Sequence, residues 1–191
     1  MNLSDPFKIL SPNERWAPTQ GQMDAFQNAY EKLLPPLVYK IRIAVAKWRD
    51  EGYQGASETS KSLLNFWFNQ EHLIGQTKFS FFFSQREAIE SIIYLYEIAK
   101  ARDKYELVRF DSSQRVSTGM FEETWTRYVI KMATGAGKTK VMGLTLVWSY
   151  FHKLYEAGST LSKDFLVIAP NIIAIKFFLK YFFVFEFANI N

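Results

Sequence analysis

Apolar positions along this chain recur at helical spacing in some stretches and run unbroken in others. In LPPLVYKIRIAVAKWRDEGYQG, Leu37, Ile41, Ala44, Val45 and Trp48 fall on one face between Pro35-Pro36 and Gly52, which predicts an amphipathic helix ending near Glu51. GASETSKSLLNFWFNQEH predicts a turn, a cap at Ser57 or Thr59, and a short helix with Leu63, Leu64 and Trp67 apolar. In FFFSQREAIESIIYLYEIAK, Ser84 with Glu87 three residues on reads as a capping box. Ile89, Ile92, Ile93, Tyr96 and Ala99 follow at helical period, so a helix is expected to start at Ser84. A further helix carries Val141, Leu144, Trp148, Phe151 and Tyr155 on one face. The unbroken runs RYVIKM, 127–132, and FLVIA, 165–169, read as buried strands before and after it. Residues 1–35 are rich in Pro, Asn, Ser and Gln and read as an irregular arm with at most one helix, around Met23 to Leu33. Residues 101–126 are polar and weakly patterned.

Strand, loop, helix, strand is a parallel βαβ unit, and its loop is MATGAGKT, 132–139. A polyphosphate is a dense negative charge; binding it takes converging backbone N–H groups and a mobile cation. Gly135 and Gly137 allow positive φ and leave no side chain in the way, so successive N–H groups can face one phosphate. Thr134 and Ala136 complete the loop, and the new helix adds its N-terminal partial positive charge. Lys138 is placed to reach the β and γ phosphates and Thr139 to hold Mg²⁺ through its hydroxyl. Met132 stands where the strict G-x-x-x-x-G-K-[ST] pattern has its first glycine.

Ala133 to Thr139 resembles motif I of superfamily 2 helicases, in which the leading glycine is often absent, and the context Met132-Ala133-Thr134-Gly135 resembles the DEAD/DEAH-type motor subunit of type III restriction endonucleases. Gln85 in SQREAI is similar to that superfamily's adenine-reading glutamine, and LVIAPN, 166–171, resembles motif Ia, which approaches the DNA backbone and implies DNA contacts at Pro170 and Asn171. LPPLVYKIR, WRDEGYQGASE and LLNFWF are similar to the N-terminal region of the restriction-type helicases. The resemblance spans roughly residues 10–173. It implies ATP and Mg²⁺ as cofactors, DNA as partner, and a full-length relative that couples ATP-dependent translocation to cleavage. A modification (methyltransferase) subunit and the missing helicase half are further candidate partners.

The resulting fold class is α/β, an incomplete RecA-like P-loop parallel sheet preceded by a mainly helical region. Residues 1–75 are assigned to that helical region and 76–191 to a partial helicase ATP-binding domain, with 174–191 an atypical Phe-rich tail. Hydrolysis needs a second acidic site, and no Asp-Glu-x-His occurs in the chain, while Asp164 lies at the wrong end of its strand. Only 52 residues follow Thr139, and each further βα step consumes about 30. The expectation is therefore an ATP-binding N-terminal fragment, truncated after motif Ia, that does not hydrolyse ATP. The alternative is a nucleotide- or DNA-binding accessory module completed by a partner chain.

Composition adds bounds. The chain is 48% hydrophobic and 17% aromatic, enough for a packed core, and 23 Lys+Arg against 19 Asp+Glu give +4, compatible with nucleic acid without requiring it. Lys40 with Lys47 and Arg42 with Arg49 form stripes on the first helix; they fit a DNA backbone, but an ordinary solvated face is the expectation. The absence of cysteine excludes disulfides and thiolate metal sites. The N-terminus lacks a signal-peptide pattern, so a cytoplasmic protein is expected. The apolar stretch 165–188 carries Pro170, Asn171, Lys176, Lys180 and Glu186, which a membrane-spanning helix tolerates poorly. His72 and His152 have no partner at ligand spacing, so no role is assigned to them.

Overall fold

A computed structural model of the chain describes residues 5–12, 37–111, 116–120, 127–166 and 168. They divide into two compact units, one drawn from Met1–Ala56 and Glu90–Ile130, the other from Ser57–Ile89 and Lys131–Asn191.

In the first unit, α1 (Val38–Asp50) buries Val45 and Trp48, as its apolar stripe requires. The Trp48 indole N–H donates to the Gln54 carbonyl at 2.9 Å, and its ring meets Tyr53 edge-on at 4.9 Å. The chain turns after α1 through Gly52 and Tyr53, both left-handed. Tyr53 is held there by its hydroxyl, which donates to Glu90 at 2.6 Å. Arg49 completes the cluster: its Nε donates to both Glu90 oxygens at 2.9 Å, and its Nη2 contacts Oε2. The stripe expected to be solvated is therefore divided. The Arg49 side chain is 7% exposed and ion-paired, Lys40 donates to the Asp111 carbonyl at 2.6 Å, and Lys47 makes a surface pair with Glu51.

A second core in this unit gathers Leu95, Ala101 and Phe110, with Leu37, Ile41, Leu107 and Tyr128 against them. The helix α3 (Phe83–Ile93) enters it through a π turn, Tyr94–Ile98, in which the Ala99 N–H donates to the Tyr94 carbonyl at 2.8 Å. A π turn carries one residue more than an α turn, and here the consecutive Leu95 and Tyr96 are both buried. Asp103 then caps the short α4 (Lys104–Val108) by accepting from the Tyr105 and Glu106 amides.

In the second unit, α2 (Glu58–Asn69) starts at the expected Ser57, whose hydroxyl accepts from the Ser60 amide at 3.1 Å. The Thr59 amide of the same first turn donates to the Glu156 carboxylate at 2.9 Å. Hydrogen bonding from the Thr59 side chain first, and from this amide second, holds the Glu156 carboxyl below its ordinary 4.5. A carboxyl lowered by folding stabilises above its unfolded value and loses that contribution as pH falls through the lowered one. Glu156→Gln is accordingly expected to lower the neutral plateau of a stability profile towards its acid end, and so to flatten the fall below about pH 5. An unchanged acid limb would refute this role.

α2 packs on α5 (Lys138–Tyr155), with Leu64 and Trp67 buried on one and Val141, Leu144 and Trp148 on the other. The buried Trp148 indole N–H donates to the Ser60 hydroxyl at 2.7 Å. Ser60→Ala orphans that donor and should lower stability by about 1–3 kcal/mol; a urea midpoint equal to wild type would show the bond to be idle. Towards its C-terminus the buried face of α5 turns to His152, which shares a 2.7 Å bond with Ser159, rather than to the expected Phe151 and Tyr155. Tyr155 is 68% exposed and stacks on Phe151.

Between α2 and α3, β1 (His72–Ile74) pairs antiparallel with β2 (Thr77–Phe79), His72 opposite Phe79 and Ile74 opposite Thr77. This hairpin is the only sheet among the described residues, which are otherwise mainly helical. The expected parallel unit is not formed there: 127–133 runs as irregular chain with Val129 81% exposed, and 164–166 carries no strand. A parallel strand has no hairpin partner and needs a neighbouring strand brought to it by a crossover, and neither run has one among the described residues. The expected N-terminal helix near Met23 to Leu33, motif Ia beyond Ile168 with Pro170 and Asn171, and the 174–191 tail lie outside the described residues. Among the described residues no helix is long and apolar enough to cross a membrane.

Candidate nucleotide-binding site

The loop before α5 begins with a tight turn. The Ala136 N–H donates to the Ala133 carbonyl at 3.2 Å, and Gly135 occupies the turn's third position at φ +81°, where type II turns place a glycine. Gly137 is left-handed again, φ +82° and ψ +40°, and caps α5, its carbonyl accepting from the Lys140 and Val141 amides at 3.0 and 3.3 Å. The Lys138 and Thr139 amides, first in the helix, have no acceptor among the described residues, as helix starts require. Left-handed glycines two apart, followed by a helix N-terminus, form a concave set of backbone donors suited to an anion.

Thr134 and Gly135 are exposed at the tip of the turn, and Ala136, Gly137 and Thr139 are half-buried beneath it. Lys138 folds back over the loop, its ammonium donating to the Met132 and Ala133 carbonyls at 3.0 and 3.1 Å. Thr134 to Thr139 thus run contiguously from the turn into the first residues of α5. Lys140, two residues further on, is engaged elsewhere: its Nζ sits 3.6 Å from the centre of the Phe79 ring, and burial holds its ammonium below its ordinary range.

Gln85 reaches this loop. It is 3% exposed; its Oε1 accepts from the Phe82 N–H and its Nε2 donates to the Ala136 carbonyl, both at 3.0 Å. The Phe82 carbonyl accepts the first helical bonds of α3, from Gln85 and Arg86. Phe82 is therefore the N-cap, two residues before the expected Ser84, and Gln85 stands in the third helical position, from which a Gln or Glu side chain reaches back to the N-cap amide. The capping pair is thus Phe82 with Gln85 and not the expected Ser84 with Glu87, and its mark in the sequence is the Gln at the third helical position. Of the three consecutive phenylalanines only Phe83 is buried, while Phe81 meets Phe68 and Phe79 edge-on at 5.5 and 4.9 Å and Arg86 lies over Phe68. No cluster of His or acidic side chains suited to a metal occurs among the described residues.

Against this geometry, the family of type III restriction enzyme res subunits matches residues 78–183, more than half of the chain, and the chain belongs to that family. Membership places it among helicase-like subunits of restriction systems, which use ATP with Mg²⁺, and relates its fold to the RecA-like class. Comparison with curated proteins and with solved structures gave no match.

Proposed function

We propose that this chain binds ATP-Mg²⁺ through Thr134, Gly135, Ala136, Gly137, Lys138 and Thr139, as the nucleotide grip of a DNA translocase of the restriction type. The observation that carries the reading is the pair of left-handed glycines leading into α5 with Lys138 folded over them. A triphosphate offers Lys138 charged acceptors in place of the neutral Met132 and Ala133 carbonyls it now engages, and charge-assisted bonds are about twice as strong as neutral ones. The Thr139 hydroxyl, at the second position of α5, would be the protein's ligand to a Mg²⁺ whose other oxygens come from phosphate and water; the ion's contribution is to neutralise charge on the β and γ oxygens.

Turnover needs more than a grip. The 191 residues contain no Asp-Glu-x-His to hold the metal's far side and orient a water, so hydrolysis is not expected from this chain alone. Titration calorimetry with ATP-Mg²⁺ tests the reading. Lys138→Ala should weaken binding by about 10- to 100-fold, the worth of a charged hydrogen bond, with no turnover by either protein. Well-folded wild type that fails to bind would refute the grip, and DNA-stimulated hydrolysis would refute the division between binding and turnover.

A further inference from the structure

We infer that Gln85 is a positioning residue that tethers the phosphate loop to the start of α3, so that binding of a polyphosphate with no base attached depends on it. This rests on the nucleotide-binding reading of the loop. The tether is one side chain with two anchors: Oε1 fixes it to the N-cap Phe82 amide, and Nε2 fixes the Ala136 carbonyl to it. The fit around it is close. A Cβ at Gly137 would lie 2.1 Å from Nε2, so the loop passes Gln85 at a distance only glycine permits. Each amide atom keeps some bonding capacity, but at 3% exposure almost none of it is presented to a ligand. Reading a base and holding the loop are thus competing uses of one amide, and in this structure it holds the loop. Fixing Ala136 beside two conformationally free glycines removes loop entropy before the ligand arrives, which favours binding.

The two anchors can be separated by substitution. Gln85→Glu keeps an oxygen acceptor for the Phe82 amide and loses the donor to Ala136; Gln85→Ala loses both. Residue-resolved hydrogen exchange without ligand should show the Ala136 and Lys140 amides exchanging faster in both variants, while the Phe82 amide does so only in Gln85→Ala. Calorimetry with Mg²⁺-tripolyphosphate should show about tenfold weaker binding by Gln85→Ala, with ATP weakened alongside it and the ratio of ATP to GTP affinity little changed. Unchanged loop exchange in Gln85→Glu would overturn the tether. Intact tripolyphosphate affinity in Gln85→Ala, with the preference for ATP over GTP lost, would overturn it in favour of base reading. Faster loop exchange in both variants, together with a wild type that binds no tripolyphosphate, would refute the tether's role in binding and place the fault in the nucleotide reading beneath it.

Discussion

Glu90→Ala is expected to lower the stability of the first unit by about 3–5 kcal/mol, the usual penalty for stranding one member of a buried ion pair. Glu90 is 0% exposed and accepts from Arg49 through both oxygens and from the Tyr53 hydroxyl. Removing it leaves a guanidinium and a phenol without their acceptor in a region closed to water. It also releases Tyr53 from the bond that holds its left-handed backbone at φ +60°. Breaking the pair and replacing it have different consequences, because a buried pair gives back in Coulomb energy only about what desolvation removes. A joint Arg49→Met, Glu90→Leu variant should therefore recover most of the loss and could equal the wild type. Urea unfolding followed by circular dichroism of the three proteins tests both expectations. A Glu90→Ala loss under about 1 kcal/mol would mean that water reaches the site.

The helices were legible because each needs only its own residues: the stripe of Leu37, Ile41, Val45 and Trp48, and the Ser57 cap, are local signals that the structure reproduces. The phosphate loop was legible for a related reason, since positive φ at Gly135 and Gly137 is a local demand met by a local residue. What escaped the sequence depends on distant partners. Nothing near Arg49 predicts a carboxylate 41 positions away, so its charge read as surface. The helicase resemblance marks Gln85 for a base, but its bond to Ala136, 51 positions away, and its bond to the Phe82 amide, offset from the better-looking Ser84, are not legible in the sequence. The runs at 127–132 and 165–169 have the composition of buried strands, but composition supplies no neighbour, and a parallel ladder exists only with one.

Gly137→Ala should weaken ATP-Mg²⁺ binding more than any other single change in the loop. Two effects combine. An alanine at φ +82° costs about 1–2 kcal/mol for the left-handed conformation. Its Cβ also lands 2.1 Å from the Gln85 amide nitrogen. That nitrogen ends a side chain that can turn, yet turning it releases the bonds to Phe82 and Ala136 in a buried setting, a further penalty of about 1–3 kcal/mol. The sum, about 2–5 kcal/mol, corresponds to a fall in affinity between about thirtyfold and several thousandfold. Gly135→Ala separates the terms, because Gly135 has nearly the same φ, +81°, and nothing within 4 Å of its missing Cβ; only the conformational part should be lost there. Adding Gln85→Ala to Gly137→Ala removes the collision, so the double variant should bind better than the sum of the two single losses predicts, by a coupling of about 1 kcal/mol or more. Strictly additive losses, or equal losses at Gly135 and Gly137, would mean that Gln85 yields to the new methyl without penalty, and that the loop draws its order from α5 and the glycine turn alone.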